Sequence, residues 1–168
     1  MGSLVDWLRP EAIALDVAVG GWEDAVRQAG GLLEGVGAID SEYTDAMVNS
    51  IFRNGPYIVL EPGFAFAHAR PSEFVHRAAL SWLRPATPVR FGHRHNDPVE
   101  LVVAMAVNDS IQHQVAISQL AHLISDARTM DRLRSARIPA EVLSVLSEVA
   151  GPAPRVGHHR LPHWPHRR

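Results

Sequence analysis

Seven consecutive apolar residues, Leu101-Val102-Val103-Ala104-Met105-Ala106-Val107, follow Val99-Glu100 without a polar interruption. A run with no alternation predicts a strand covered on both faces. It is far shorter than the ~20 apolar residues a membrane-spanning helix needs, so no membrane insertion is expected. A doubly covered strand demands helical layers on either side of its sheet, and the flanking sequence supplies them.

Upstream, Ala12 to Val17 reads as a short strand. Trp22, Ala25, Val26, Ala29, Leu33 and Val36 then recur at helical spacing, although Gly30 and Gly31 fall inside that pattern. Ser41 is placed to cap a second helix with Tyr43, Met47 and Ile51 on one face, ended by Asn54-Gly55-Pro56. Tyr57 to Leu60, Phe64 to His68 and Ala78 to Leu83 read as strands between Pro and Gly turns. Downstream of the apolar run, Asn108-Asp109-Ser110 offers a turn and a cap for a helix to about Ser125. Two shorter helices follow, the second with Pro139 in its first turn. The expected fold class is α/β, a mixed sheet of about five strands sandwiched by helices on both faces.

Composition enters where it removes chemistry. The chain has no cysteine, and all 16 of its basic residues are arginine. A disulfide scaffold, a thiolate metal site, a Walker A phosphate loop and a Schiff-base lysine are therefore excluded. No Gly-x-Ser-x-Gly and no His-Glu-x-x-His occurs. With no targeting segment at its N-terminus, the chain is expected to be cytoplasmic.

Residues 151–168 hold four arginines, four histidines and no acid, rich in Pro and Gly. They are read as a disordered basic tail after a single domain over residues 1–150. That domain carries −6 of charge, which argues against a nucleic-acid groove.

Ten histidines in 168 residues are the remaining oddity. His68 closes Phe64-Ala65-Phe66-Ala67-His68-Ala69-Arg70-Pro71, where a period of two sets Phe64, Phe66 and His68 on one face. A His and an Arg at a strand end can line a crevice, since ligands of open α/β sheets gather there; packing at a sheet edge is the alternative. His113 shares a helical face with Ile117, Leu120 and Ile124 near a helix N-terminus, where the positive dipole end favours an anion. A histidine simply bonded at the core edge fits that position equally. His93-Arg94-His95 lies in a polar loop without a third ligand at a recognised spacing, which favours a solvated loop over a metal site.

These segments taken in order resemble a known family. Asn54-Gly55-Pro56-Tyr57-Ile58-Val59, Pro62-Gly63 through Pro71, Asn96-Asp97-Pro98-Val99, His113-Gln114-Val115 and Asp131-Arg132-Leu133-Arg134 are similar to the mannitol/fructose-type (type 2) enzyme IIA components of the bacterial phosphoenolpyruvate-dependent sugar phosphotransferase system. The ascorbate-specific branch is the nearest match, and the likeness spans roughly residues 4–149.

The resemblance implies that His68 accepts a phosphoryl group and that His113 donates a hydrogen bond to the phosphoryl oxygens. Arg70 is a phosphate partner by proximity and its planar fork. Arg53 aligns with an arginine of mannitol-type members that the ascorbate branch does not consistently keep. The donor would be the histidine-containing phosphocarrier protein, and the acceptor a cognate enzyme IIB serving a membrane permease. No cofactor and no metal are expected. Phe64, Phe66 and Ile111 are expected to rim the site. In place of the family's usual Pro before the active histidine stands Ala67, which restores a backbone N–H. Two other readings stay open: a regulatory phosphoprotein of the same fold, and a metal-binding protein using His68, His113 and the loop or tail histidines.

Overall fold

A computed structural model describes residues 4–149. The reading of a disordered tail falls outside these residues. The elements run α1 (Leu4–Trp7), β1 (Leu8–Val17), α2 (Trp22–Gly35), α3 (Ser41–Asn54), β2 (Val59–Glu61), β3 (Phe64–Ala67), β4 (Ala79–Pro85), β5 (Leu101–Ala106), α4 (Ser110–Ile124), α5 (Ala127–Ser135) and α6 (Pro139–Val149). One five-stranded sheet has the order β1-β4-β5-β3-β2. The β1/β4 and β3/β5 pairs are parallel, whereas β4/β5 and β2/β3 are antiparallel.

Every residue of β3 and β5 is buried, as the unbroken apolar run requires. Side chains alternate between the two faces, and the faces differ in size. Ala65, Ala67, Val102, Ala104 and Ala106 point to the layer of α2 and α3. Phe64, Phe66, Leu101, Val103 and Met105 point to the layer of α1, α4, α5 and α6. Small residues let a helix pair lie close against the first face, while aromatic and branched side chains fill the wider space on the second.

The glycines inside α2 have a local cause. A Cβ on Gly30 would come 2.5 Å from Thr44 Oγ1 of α3, so close helix packing excludes a side chain there. On the sheet side of the same helix, Ser81 donates from Oγ to the Ala29 carbonyl at 2.7 Å, which satisfies a buried hydroxyl.

Some boundaries depart from expectation. Strand β1 begins at Leu8 rather than Ala12, with a register shift before Ile13. As an edge strand it tolerates Arg9, Pro10 and Glu11, which hid it in the sequence. The single turn α1 is too short to show helical periodicity. Asp40, not Ser41, occupies the N-cap of α3, and its carboxylate pairs with His76 instead of capping. Asp109 caps α4 by accepting from the Gln112 amide at 2.8 Å, as the turn signal predicted.

Candidate active site

Because β3 and β5 are parallel neighbours, with Ala67 opposite Ala104, their C-terminal ends open onto one edge of the sheet. His68 is the next residue after β3. From β5 the chain passes through Asn108 and Asp109 into α4, whose first turn carries His113. Forty-five positions apart in sequence, the two imidazoles meet with ring centroids 5.5 Å apart and planes at 65°.

A backbone carbonyl orients the His68 ring. His68 Nδ1 lies 3.0 Å from the Phe66 carbonyl oxygen, and a carbonyl can only accept, so Nδ1 carries the proton. Neutral His68 therefore keeps its lone pair on Nε2. Burial, the largest influence, lowers the His68 pKa from its ordinary value; the Phe66 carbonyl opposes this and nearby His113 adds to it. The neutral imidazole thus dominates at neutral pH, a form able to attack an electrophile.

Around the pair, Phe66 lies beneath His68 at 5.1 Å between centroids, and Tyr57 meets it edge-on at 6.1 Å. Phe64 and Phe66 are each 1% exposed, so they cannot form a rim as the sequence suggested. Period two placed them on the His68 face, but that face is the core beneath the strand rather than the mouth of a cleft. Tyr57, 43% exposed, borders the His68 ring, and Ile111, 71% exposed, lies in the first turn of the helix that carries His113.

Arg70 lies exposed two residues beyond His68, and Arg53 lies exposed in the last turn of α3. Gly55, at φ 77°, then turns the chain toward Tyr57.

Sequence reasoning missed the buried hydroxyl of Tyr43. It lies 2.6 Å from the Met105 carbonyl and accepts from the Ala69 amide at 3.1 Å, directly after His68. Periodicity marked Tyr43 only as an inward residue. The available signal was chemical, since a buried tyrosine hydroxyl has to find partners. Burial also pushes its pKa up to about 12, which keeps the hydroxyl protonated.

The remaining histidines lie elsewhere. His93 and His95 sit in the loop whose Asn96 carbonyl accepts from Gly63 N, at the opposite end of β3 from His68. His93 Nδ1 accepts from the amides of His95 and Asn96 at 3.2 and 3.0 Å. Among the described residues no group of three or more His, Cys, Asp or Glu could hold a metal ion. Nor is any described helix long and apolar enough to cross a membrane.

The fold and site define a class: an open α/β sheet that brings two imidazoles together where two parallel strands end. Residues 6–149 match the family described as phosphoenolpyruvate-dependent sugar phosphotransferase system, EIIA 2. This chain belongs to that family, and is an EIIA phosphotransferase component that relays a phosphoryl group through histidine. An ascorbate-specific PTS system EIIA component of Shigella boydii serotype 4 (strain Sb227) is 35% identical over 137 residues, 81% of this chain and 89% of that relative. The solution structure of the mannitol-specific cryptic phosphotransferase enzyme IIA CmtB from Escherichia coli aligns with a TM-score of 0.77 at 25% identity, covering 86% of this chain and 98% of that one. A chain in the complex of enzyme IIAMTL and phosphorylated enzyme IIBMTL from Escherichia coli aligns at TM-score 0.74 and 25% identity, over 84% of this chain and 99% of that one.

Proposed function

We propose that His68 is the phosphoryl acceptor, loaded by the histidine-containing phosphocarrier protein and unloaded onto a cognate enzyme IIB in the cytoplasm. The observation that carries this reading is the bond from His68 Nδ1 to the Phe66 carbonyl, which commits the lone pair to Nε2. In the loading step Nε2 attacks phosphorus, and the N–P bond to the donor histidine breaks as the new N–P bond forms. Positive charge then spreads over the His68 ring, and the Phe66 carbonyl opposite Nδ1–H stabilises it. Unloading reverses the polarity: a nucleophile on enzyme IIB, a cysteine in the ascorbate branch, takes the phosphoryl group and returns neutral His68.

His113 has the role of a hydrogen-bond donor to the transferring phosphoryl oxygens. Such catalysis is mostly positioning and electrostatic stabilisation. Arg70 and Arg53 supply positive charge at the solvent side, Arg70 being the nearer in sequence. Both protein partners must reach the same imidazole, and the exposed apolar side chains of Tyr57, beside His68, and Ile111, in the first turn of the His113 helix, suit transient docking. Ascorbate or a chemically similar sugar is the cargo that the 35% identical relative supports, and the permease would select it.

Intact-protein mass spectrometry at neutral or alkaline pH tests this reading. The chain is incubated with phosphoenolpyruvate, enzyme I and the phosphocarrier protein, with His68→Ala alongside. One phosphoryl group gained by wild type alone supports it; equal gain in the variant removes His68 from the mechanism. Acceptance without onward transfer to any enzyme IIB would favour a regulatory phosphoprotein.

A further inference from the structure

We infer that Tyr43 is a positioning residue for phosphoryl transfer: its hydroxyl ties together the C-terminal ends of β3 and β5, which lead to His68 and to the helix that carries His113. The inference rests on His68 being the acceptor. Its basis is an accounting of one buried proton and one lone pair. The single O–H proton goes to the Met105 carbonyl, the shortest contact at 2.6 Å, near the C-terminal end of strand β5. A lone pair on the same oxygen receives the Ala69 N–H at 3.1 Å, from the peptide that links Ala69 to His68. The Ala69 carbonyl, 3.3 Å away, is a weaker competitor for the proton.

The placement has geometric force because β3 stops at Ala67. Beyond that point the sheet no longer holds the chain, yet His68 must keep its Nδ1–H on Phe66 and its ring 5.5 Å from His113. The Tyr43 ring is 1% exposed within the α2/α3 layer, so helix packing fixes the hydroxyl before any partner arrives. One rigid atom thereby helps set the spacing of two side chains, one just past β3 and one on the helix that follows β5. With its pKa raised to about 12, the hydroxyl keeps its proton across the working pH range.

The test is Tyr43→Phe in the full chain, which keeps the ring and deletes the oxygen. The phosphoryl acceptance rate is expected to fall on the order of tenfold to a hundredfold, as small misplacements of reacting groups do. The 15N signals of the His68 imidazole, read without any donor protein, are expected to change from a single Nδ1–H tautomer to a mixture. Met47→Ala in the same helix serves as the control: it lowers the melting temperature and leaves those imidazole signals as in wild type. A wild-type rate together with unchanged His68 signals in Tyr43→Phe overturns the inference and leaves Tyr43 a packing residue. If neither protein accepts a phosphoryl group but the imidazole signals differ, the acceptor reading fails and the transfer role with it, and Tyr43 is left only as the residue that orients the His68 ring. Should Tyr43→Phe not fold, amide exchange in wild type decides: a protected Ala69 N–H supports the tie, and exchange as fast as in an open loop overturns it.

Discussion

Two histidine pairs in this chain have similar ring separations, 5.5 Å for His68 and His113 and 6.3 Å for His93 and His95, yet they are held in opposite ways. The difference lies in what each Nδ1 faces. His68 Nδ1 meets a carbonyl and must donate, which frees the Nε2 lone pair. His93 Nδ1 meets two backbone amides and must accept, so its lone pair is consumed in holding a turn. The two pairs also lie at opposite ends of β3: one where parallel strands finish over an aromatic floor, the other in an exposed loop braced by Asp97. Proximity of imidazoles is therefore a poor guide to chemistry, and the hydrogen-bond partner of one ring nitrogen is a better one.

The sharpest way to break this comparison is substitution of one histidine from each pair. His68→Ala abolishes phosphoryl acceptance, whereas His93→Ala retains it; loss in both, read by intact mass, would show that the loop takes part. His113→Ala comes next. Removing one transition-state donor slows transfer by about a hundredfold without blocking it, as rapid-quench phosphoryl transfer should record. An unaltered rate would take His113 out of the mechanism.

A smaller effect follows from the lowered pKa of His68. The attacking form is neutral, so the acceptance rate falls on acidification with a midpoint below the ordinary histidine value of about 6.5. Stability obeys the same asymmetry. Between the folded and unfolded pKa values the unfolded chain binds the extra proton, so stability is lost as pH drops from 6.5 toward the folded pKa and then levels off. An NMR titration of His68 with a midpoint above 6.5 would contradict both statements. The smallest change is the stability cost of His93→Ala, about 1 kcal/mol for lost turn hydrogen bonds and a drop in Tm of about 2–4 °C. A much larger drop would mean that the loop supports the core.

Much of the fold was legible because its signals are local. Residues 101–107 announced a doubly covered strand, and β3 and β5 lie buried on both faces as that run requires. The alternation in Phe64-Ala65-Phe66-Ala67 identified the aromatic face, but it could not show that this face is the floor rather than the mouth of the site. Tyr57, read as a strand residue, stands in the turn before β2 and borders the His68 ring. Edge strand β1 was half hidden, since charges and Pro10 at a sheet edge erase the pattern that reveals inner strands.

The sequence by itself determined that a layered α/β sheet would form, that His68 would stand at the end of a strand, one residue past where it stops, and that His113 would open a helix. Each follows from residue periodicity and capping within a few positions. Only the tertiary structure decided that the two histidines meet, that Phe66 selects the tautomer of His68, and that the Tyr43 hydroxyl reaches both Met105 and Ala69. The meeting of the histidines and the two Tyr43 bonds depend on strand order, parallel register and helix packing between residues 26 to 62 positions apart, where no local pattern carries information, and the Phe66 bond, though local, depends on how the strand end is buried.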